Sequence, residues 1–246
     1  MQLNILTKII SKSFLCVICI VFICILSGWG PLNWLLFKKI ATPKGSEQWV
    51  DSEIKNIQIQ AKNINTKVLK LSLIAYLNAK EKGIPQKDLL TIIDYSKPSV
   101  KKRLWVIDLK TNKVLFNTWV SHGRNSGKGK AYSFSNKPGS LKSSIGVFKT
   151  MQTPYIGHNG YSLRLVGLEN GFNDKALKRY IVFHGAWYAH PDMIKKHGFL
   201  GRSFGCPAVS IATVKPLINT IKDNSLVVVY YPDRKWINNS KFLAAR

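Results

Sequence analysis

Acidic residues are scarce in this chain of 246 residues. It contains 12 Asp and Glu residues against 37 Lys and Arg residues, which gives a formal net charge of +25. Such a surplus attracts polyanions, which include nucleic acid, anionic lipid and acidic cell-wall polymers. The basic residues are spread from Lys8 to Arg246 rather than gathered in one block, so the charge by itself selects no partner.

Cysteine is also rare outside the N-terminal region. Three of the four cysteines lie within residues 14–26, and Cys206 is the only one in the rest of the chain. That remainder therefore cannot form an internal disulfide, and it carries a single thiol. A catalytic nucleophile is one reason for a chain to keep a lone thiol.

Long hydrophobic runs are missing apart from one short stretch near the start. Residues 14–26 contain no charged or polar side chain, but they fall short of the roughly 20 residues that a membrane-spanning helix prefers. We predict that residues 1–30 are a cleaved signal peptide or an uncleaved inner-membrane anchor. The anchor is favoured because no small-x-small cleavage site is obvious. In both cases we expect the remainder to lie in the periplasm or cell envelope.

The rest of the chain contains neither internal repeats nor low-complexity tracts. Residues 31–88 are expected to form a linker and a helical region, with one helix over residues 49–82. Residues 89–232 carry short strands and loops rich in Gly, Ser and Asn, and residues 233–246 form a basic tail. The fold class expected from this pattern is mainly β with helices (α+β). The predicted strands are a hairpin of residues 103–109 and 113–120, a half-buried strand around residues 161–165, and residues 180–183 and 226–231.

A thiol and an imidazole occur together in the segment 180–209. His184 follows a predicted strand, and Cys206 follows a Ser203-x-Gly205 turn. A free thiol has a pKa of about 8.5, so a neighbouring imidazole is needed to take its proton at neutral pH. Backbone N–H groups of the tight turn Ser203-x-Gly205-Cys206 could face an acyl oxyanion. This pattern predicts a cysteine acyl-transfer site with Cys206 as nucleophile and His184 as base.

The chain resembles the L,D-transpeptidase catalytic domains of the YkuD type. His-Gly at a strand end followed by Ser-x-Gly-Cys matches the signature of that family, and the similarity covers roughly residues 90–232. The motif departs from the more familiar members because Phe204 stands where they have a histidine, and Pro207-Ala208 follows the nucleophile. These features resemble one branch of the family with a Gly-Cys-Pro-Ala motif. Further matching segments are Ile93–Ser99, Arg103–Leu109, His122–Gly127, Phe134–Asn136, Ser143–Gly146, Gly160–Leu165 and Gly205–Val209.

The resemblance implies a β-sandwich-like fold and a two-step acyl transfer on peptidoglycan stem peptides. The thiolate of Cys206 attacks the third residue of a stem tetrapeptide, D-Ala leaves, and the amine of another stem resolves the thioester to a 3→3 cross-link. Water as the acceptor would give an L,D-carboxypeptidase. No metal or organic cofactor is implied, and the sequence shows no zinc-ligand spacing.

Several further residues are candidates for the site. His190 is the rival of His184 for the role of base, and it is otherwise a substrate-binding residue. Gly185 would leave room for a substrate. His122, Arg124 and Arg202 could contact substrate, the arginines through its carboxylates.

Two alternatives from other classes remain open. One is a different cysteine peptidase of the cell wall, and the other is a non-catalytic basic protein that binds wall polymer. A nucleic-acid partner is not expected, because no RNA-binding motif or DNA-reading helix signature is present and the N-terminus predicts export.

Overall fold

The computed structural model describes residues 44–85 and 87–244. The predicted signal peptide or anchor at residues 1–30 lies outside these residues. Within the described ranges, no helix has both the length and the apolar character needed to cross a membrane.

The described chain begins with two helices, α1 (Glu47–Gln60) and α2 (Thr66–Glu81). The expected single helix over residues 49–82 is therefore wrong. The break is caused by Asn65, whose side chain accepts hydrogen bonds from the N–H groups of Lys67 and Val68 and so begins a new helix. An Asn in this role satisfies backbone donors that the first turn of a helix leaves unpaired.

Nine strands of the described residues form one mixed sheet in the order β3-β2-β1-β9-β4-β6-β7-β8, with β5 paired to β6. Strand β9 pairs in parallel with β1 and antiparallel with β4, and so joins the two halves. The mixed α+β class is confirmed, but the strands form a continuous sheet rather than two separate ones. The strands are β1 (Leu89–Asp94), β2 (Leu104–Asp108), β3 (Lys113–Thr118), β4 (Gly146–Thr150), β5 (Tyr155–Gly157), β6 (Gly160–Gly167), β7 (Val182–Gly185), β8 (Ala208–Val209) and β9 (Leu226–Tyr230).

The expected hairpin is confirmed as β2 and β3, which pair antiparallel around a turn at Asn112. Its φ of 56° lies in the left-handed region, which asparagine tolerates better than most residues. The predicted strand at residues 226–231 corresponds to β9. The strand predicted at residues 180–183 begins two residues later, at Val182.

Alternate residues of the central strands pack into two different cores. In β9, Leu226, Val228 and Tyr230 join α1 and α2 on one face, whereas Val227 and Val229 face the other way. This follows from the two-residue repeat of a strand. The second core also receives α4 (Ile211–Ile221), which packs against β7. The strand that carries His184 is therefore held by ladder bonds and by a helix.

The remaining helices are short. Helix α3 (Asp192–His197) follows β7, and α5 (Arg234–Asn239) lies near the C-terminal end of the described chain. Trp236 of α5 is fully buried, and its indole N–H donates to the buried carboxylate of Glu169 at 2.8 Å. The segment after β9 is thus packed onto the sheet through a hydrogen-bonded carboxylate.

Candidate active site

The parallel pair of β7 and β8 positions the two main candidates. His184 lies opposite Ala208 in the register, and Cys206 precedes Ala208 by two residues. The thiol of Cys206 donates to the carbonyl of Tyr180, with 3.6 Å between Sγ and O. Val182, whose backbone also hydrogen-bonds the sulfur, is two residues from His184, about 6.6 Å along a strand. The thiol and the imidazole therefore lie beside the two ends of one short strand.

His184 is buried and has one ring nitrogen engaged. Its Nδ1 lies 3.1 Å from the carbonyl oxygen of Gly185. Because a carbonyl only accepts, Nδ1 carries the proton and Nε2 is an acceptor. Burial lowers the pKa of the imidazole, and the bond to Gly185 partly offsets this effect. The neutral ring is thus favoured and can accept a proton at Nε2.

Cys206 is half-buried, and burial raises the pKa of its thiol. Two features oppose that effect, namely the backbone hydrogen bond from Val182 and the positive charge of Arg179. Burial therefore disfavours the charged form of both the Cys206 thiol and the His184 imidazole.

Ser203 braces the turn that leads to Cys206, which we call the Ser203–Cys206 turn. Its hydroxyl donates to the carbonyl of Cys206 at 2.6 Å and accepts from the N–H of Gly205 at 3.0 Å. The N–H of Gly205 is therefore already used, which corrects the expectation that it faces an oxyanion. Within the described chain, no group accepts a hydrogen bond from the N–H of Cys206.

Gly205 must be a glycine for two reasons. Its φ is +135°, and an added Cβ would lie 3.0 Å from the carbonyl oxygen of Lys142 and 3.2 Å from Cδ1 of Ile181. Gly185 also has a packing reason, because a Cβ there would lie 2.8 Å from Cγ1 of Val214 in α4. The space beside Gly185 is thus filled by α4 rather than left open for a substrate.

His122 is fully buried, so the expectation that it contacts substrate is not supported. Its Nδ1 accepts from Nη2 of Arg103 at 2.8 Å, and its Nε2 lies 3.3 Å from the carbonyl of Gly127. Burial and the charge of Arg103 lower the pKa of His122 to about 3. Residues 120–127, here called the His122 segment, support the Ser203–Cys206 turn, because the N–H of Ser203 donates to the carbonyl of His122 at 3.0 Å.

The two candidate arginines lie at the surface beside this turn. Nη1 of Arg202 donates to the carbonyls of Arg124 and Gly127, at 3.2 and 3.3 Å. The guanidinium of Arg124 lies 5.6 Å from the ring centroid of Phe204, which is 68% exposed. Both arginines therefore connect the His122 segment with the Ser203–Cys206 turn, and their charges remain accessible to solvent.

His190 lies in the loop that follows β7. It follows a short 3₁₀ turn (Trp187–Ala189), and its Nδ1 lies 3.1 Å from a carboxylate oxygen of Asp192. Together with Trp187, Met193 and Ile211 it lines a groove of about 580 Å³. The structure thus places His190 on a largely apolar surface beyond the end of β7.

Sequence reasoning missed Arg179 and Arg103. Arg179 directly precedes Tyr180, and its charge acts on the Cys206 thiol. Arg103 is fully buried and orders the His122 segment through Val120 and His122. The one sequence feature that could have indicated Arg179 and Arg103 as site residues is that each lies at or directly before the start of a predicted strand. No group of three His, Cys, Asp or Glu residues in the described ranges is arranged to hold a metal ion.

Comparisons with known proteins identify one family. A family model described as the L,D-transpeptidase catalytic domain matches residues 60–230. No curated protein matches the chain significantly. The chain is similar to solved L,D-transpeptidases from Mycobacterium smegmatis (13% identity, 59% of this chain and 59% of that chain, TM-score 0.36), Stackebrandtia nassauensis (15%, 74% and 77%, 0.35) and Enterococcus faecium (15%, 58% and 50%, 0.34).

The chain spans less than two thirds of the length of several of these solved structures, for example 59% of the Mycobacterium smegmatis chain. The family model, in contrast, matches more than half of this chain, from the last residue of α1 to the end of β9. On that match, the chain belongs to the family of L,D-transpeptidase catalytic domains.

Proposed function

We propose that the chain is a peptidoglycan L,D-transpeptidase that uses Cys206 as its nucleophile and His184 as its general base. The observation that carries the proposal is the placement of both side chains along β7, with the thiol at its start and the imidazole at its end. A base must be held within reach of the proton that it takes, and a strand fixed by ladder bonds does this well.

The first half-reaction forms a thioester. Nε2 of His184 takes the Sγ proton as the sulfur attacks the carbonyl carbon of the third residue of a stem tetrapeptide. The amine of the departing D-Ala receives that proton from the imidazolium, and the thioester remains. The unpaired N–H of Cys206 is the donor available to the developing oxyanion, while Ser203 keeps the turn rigid.

The second half-reaction transfers the acyl group. The side-chain amine of another stem attacks the thioester carbonyl, loses a proton to His184 and displaces the sulfur, which is reprotonated. The product is a 3→3 cross-link, and water in place of the amine would release a tripeptide. These substrates place the reaction in the cell envelope. Attachment to the inner membrane remains a prediction, since residues 1–30 are outside the described chain.

The proposal is tested by mass spectrometry of the products formed when the full chain is incubated with disaccharide-tetrapeptides. We expect D-Ala release together with cross-linked dimers, and no product from Cys206→Ser. Tripeptide without dimer would assign carboxypeptidase activity instead. Turnover that survives in Cys206→Ser, or cleavage of ordinary L,L-peptides only, would overturn the proposal.

A further inference from the structure

Arg179 lies in the last turn before β7 and is held by its neighbours. It is half-buried, and its two terminal nitrogens donate to four acceptors. Nη1 donates to the carbonyl of Ser135 and the hydroxyl of Ser144, and Nη2 to the hydroxyl of Ser140 and the carbonyl of Lys142. The guanidinium is therefore fixed in one orientation.

All four acceptors of Arg179 are uncharged. Within residues 44–85 and 87–244, no carboxylate forms an ion pair with it. The hydrogen bonds thus hold a positive charge in place without neutralising it. They also occupy the four terminal N–H groups, so Arg179 cannot present the paired donors with which arginine usually binds a carboxylate of a substrate.

The fixed charge of Arg179 lies next to the Ser203–Cys206 turn. Nη2 is 3.4 Å from the position that a Cβ of Gly205 would occupy, and Gly205 directly precedes Cys206. The carbonyl oxygen of Lys142 accepts a hydrogen bond from Nη2 at 2.6 Å and lies 3.0 Å from the same Cβ position. The next residue after the arginine, Tyr180, accepts the thiol proton of Cys206 through its carbonyl.

The backbone around Arg179 is fixed as well. The N–H of Ile181 donates to the carbonyl of Ala176 and the N–H of Tyr180 to that of Leu177, both at 3.0 Å. This is the Schellman arrangement of a helical turn that ends in a left-handed residue. Tyr180 has a φ of 54° and fills that position. Arg179 and the Tyr180 carbonyl therefore reach Cys206 from one rigid turn.

We propose that Arg179 is a positioning residue whose uncompensated charge stabilises the thiolate of Cys206 and the negative charge that develops during acyl transfer. It acts as a fixed electrostatic group and does not exchange protons. A preorganised charge of this kind costs no rearrangement at the moment of reaction. The proposal rests on the proposed function, because it takes Cys206 as the nucleophile.

The charge balance of the site agrees with this role. Burial raises the pKa of the Cys206 thiol, and the Arg179 charge is one of the two features that lower it. His184 lies in a buried position that disfavours its own positive charge. Arg179 therefore supplies a permanent positive charge beside the turn, and this charge can stabilise the thiolate of Cys206. The imidazole of His184 supplies less of this stabilisation, because burial disfavours its charged form.

The test measures how easily the thiol ionises, without any peptidoglycan substrate. The full chain is alkylated with iodoacetamide between pH 6 and 11, and the peptide that contains Cys206 is quantified by mass spectrometry. Arg179→Gln removes the charge, Arg179→Lys keeps it, and Lys178→Gln removes a neighbouring exposed charge as the matched control. We expect Arg179→Gln to be alkylated about tenfold more slowly at pH 7.5, as for a pKa about one unit higher.

We also expect the alkylation rate of Arg179→Lys to stay within about threefold of that of the unsubstituted chain, because the proposal makes the nearby charge, and not the hydrogen bonds of the guanidinium, the cause of the lower thiol pKa. The alkylation rate of Lys178→Gln should be unchanged. Equal slowing in Arg179→Gln and Arg179→Lys would mean a purely structural role and overturn the proposal. Unchanged rates in both would do the same.

If Arg179→Gln does not fold, the unsubstituted chain decides the question. A cation beside the sulfur should favour anionic iodoacetate over neutral iodoacetamide, relative to the urea-unfolded chain. That preference should persist at 0.5 M salt, since a half-buried charge at short range is poorly screened. A preference abolished by salt would come from the general surface charge and contradict the proposal.

The alkylation result is independent of turnover. If Cys206 shows the expected charge dependence but forms no product from disaccharide-tetrapeptides, the inference stands and the proposed function fails. If product forms but Arg179 has no influence on alkylation, the function stands and the inference fails.

Discussion

His184 and His122 are both buried histidines of the same domain, yet their surroundings differ in one decisive respect. His184 engages a single nitrogen, because Nδ1 donates to the carbonyl of Gly185. His122 engages both, since Nδ1 accepts from Arg103 and Nε2 donates to the carbonyl of Gly127. Burial lowers the pKa of both rings, to about 3 for His122. Burial alone therefore does not identify a catalytic histidine.

The unused nitrogen separates the two roles. A general base needs a free acceptor nitrogen, and of these two rings only that of His184 leaves one nitrogen without a hydrogen-bond partner among the described residues. In His122 the second nitrogen, Nε2, instead bonds to the carbonyl of Gly127 and so orders the His122 segment. That segment supports the Ser203–Cys206 turn through the N–H of Ser203. The comparison predicts that substitutions of His184 change chemistry, whereas substitutions of His122 change stability.

The largest effect is expected from His184→Ala. Loss of the general base should lower the single-turnover acylation of Cys206 by a carbapenem about 10²-fold or more. The rate is measured at saturating donor across pH 5–9, with the thermal midpoint as a control for folding. Acylation within a few-fold of the unsubstituted chain would show that the placement along β7 does not define the base.

His122→Ala should instead reduce the free energy of unfolding by about 2 kcal/mol. The substitution leaves the fully buried Nη2 of Arg103 without one acceptor and opens a cavity under the segment. Urea unfolding measures the loss, and His122→Asn, whose side-chain oxygen can replace the Nδ1 acceptor, should recover part of it. A fully stable His122→Ala with severely impaired acylation would reverse the comparison.

The same comparison has a pH signature. The pKa of His122 falls from an ordinary value of 6.5 to about 3 in the folded state, so protonation favours the unfolded chain below pH 6.5. The neutral His122 ring therefore makes its full contribution to the free energy of unfolding above pH 6.5. This contribution is lost as the pH falls from 6.5 toward 3, by about 1.4 kcal/mol per pH unit. His122→Asn cannot titrate and should lose about 1.4 kcal/mol less than the unsubstituted chain between pH 7 and 5.5. Parallel stability curves would contradict this assignment.

The sequence was sufficient for features that depend on local pattern. The β2–β3 hairpin and β9 follow from short apolar runs beside turn residues, and the Cys206 turn follows from its Ser-x-Gly spacing. The break between α1 and α2, in contrast, lies within a region of continuous helical periodicity. It depends on the side-chain cap of Asn65, which the spacing of apolar residues does not indicate.

The misread residues depend on long-range packing. His122 lies in a segment of Gly, Ser and Asn that has the composition of an exposed loop, but Arg103 from a distant strand end covers it. Arg179 is one of 37 basic residues, and only the fold brings it next to Gly205. Composition cannot reveal which cation in such a chain lies beside Cys206.

The smallest effect is expected from His190→Ala, the third histidine near β7. Its imidazole is half exposed, and among the described residues its Nδ1 contacts only Asp192, through the backbone N–H at 3.3 Å and a carboxylate oxygen at 3.1 Å. It also lines the groove of Trp187 and Ile211, so its loss should weaken donor binding about threefold or less and leave the saturated acylation rate almost unchanged. The measurement is the dependence of Cys206 acylation on stem-peptide concentration, with Asp192→Asn as the matched control for the contact between the two side chains. A large fall in the saturated rate with His190→Ala, together with normal acylation in His184→Ala, would assign the base to the loop residue and show that the free nitrogen of His184 is not the one that works.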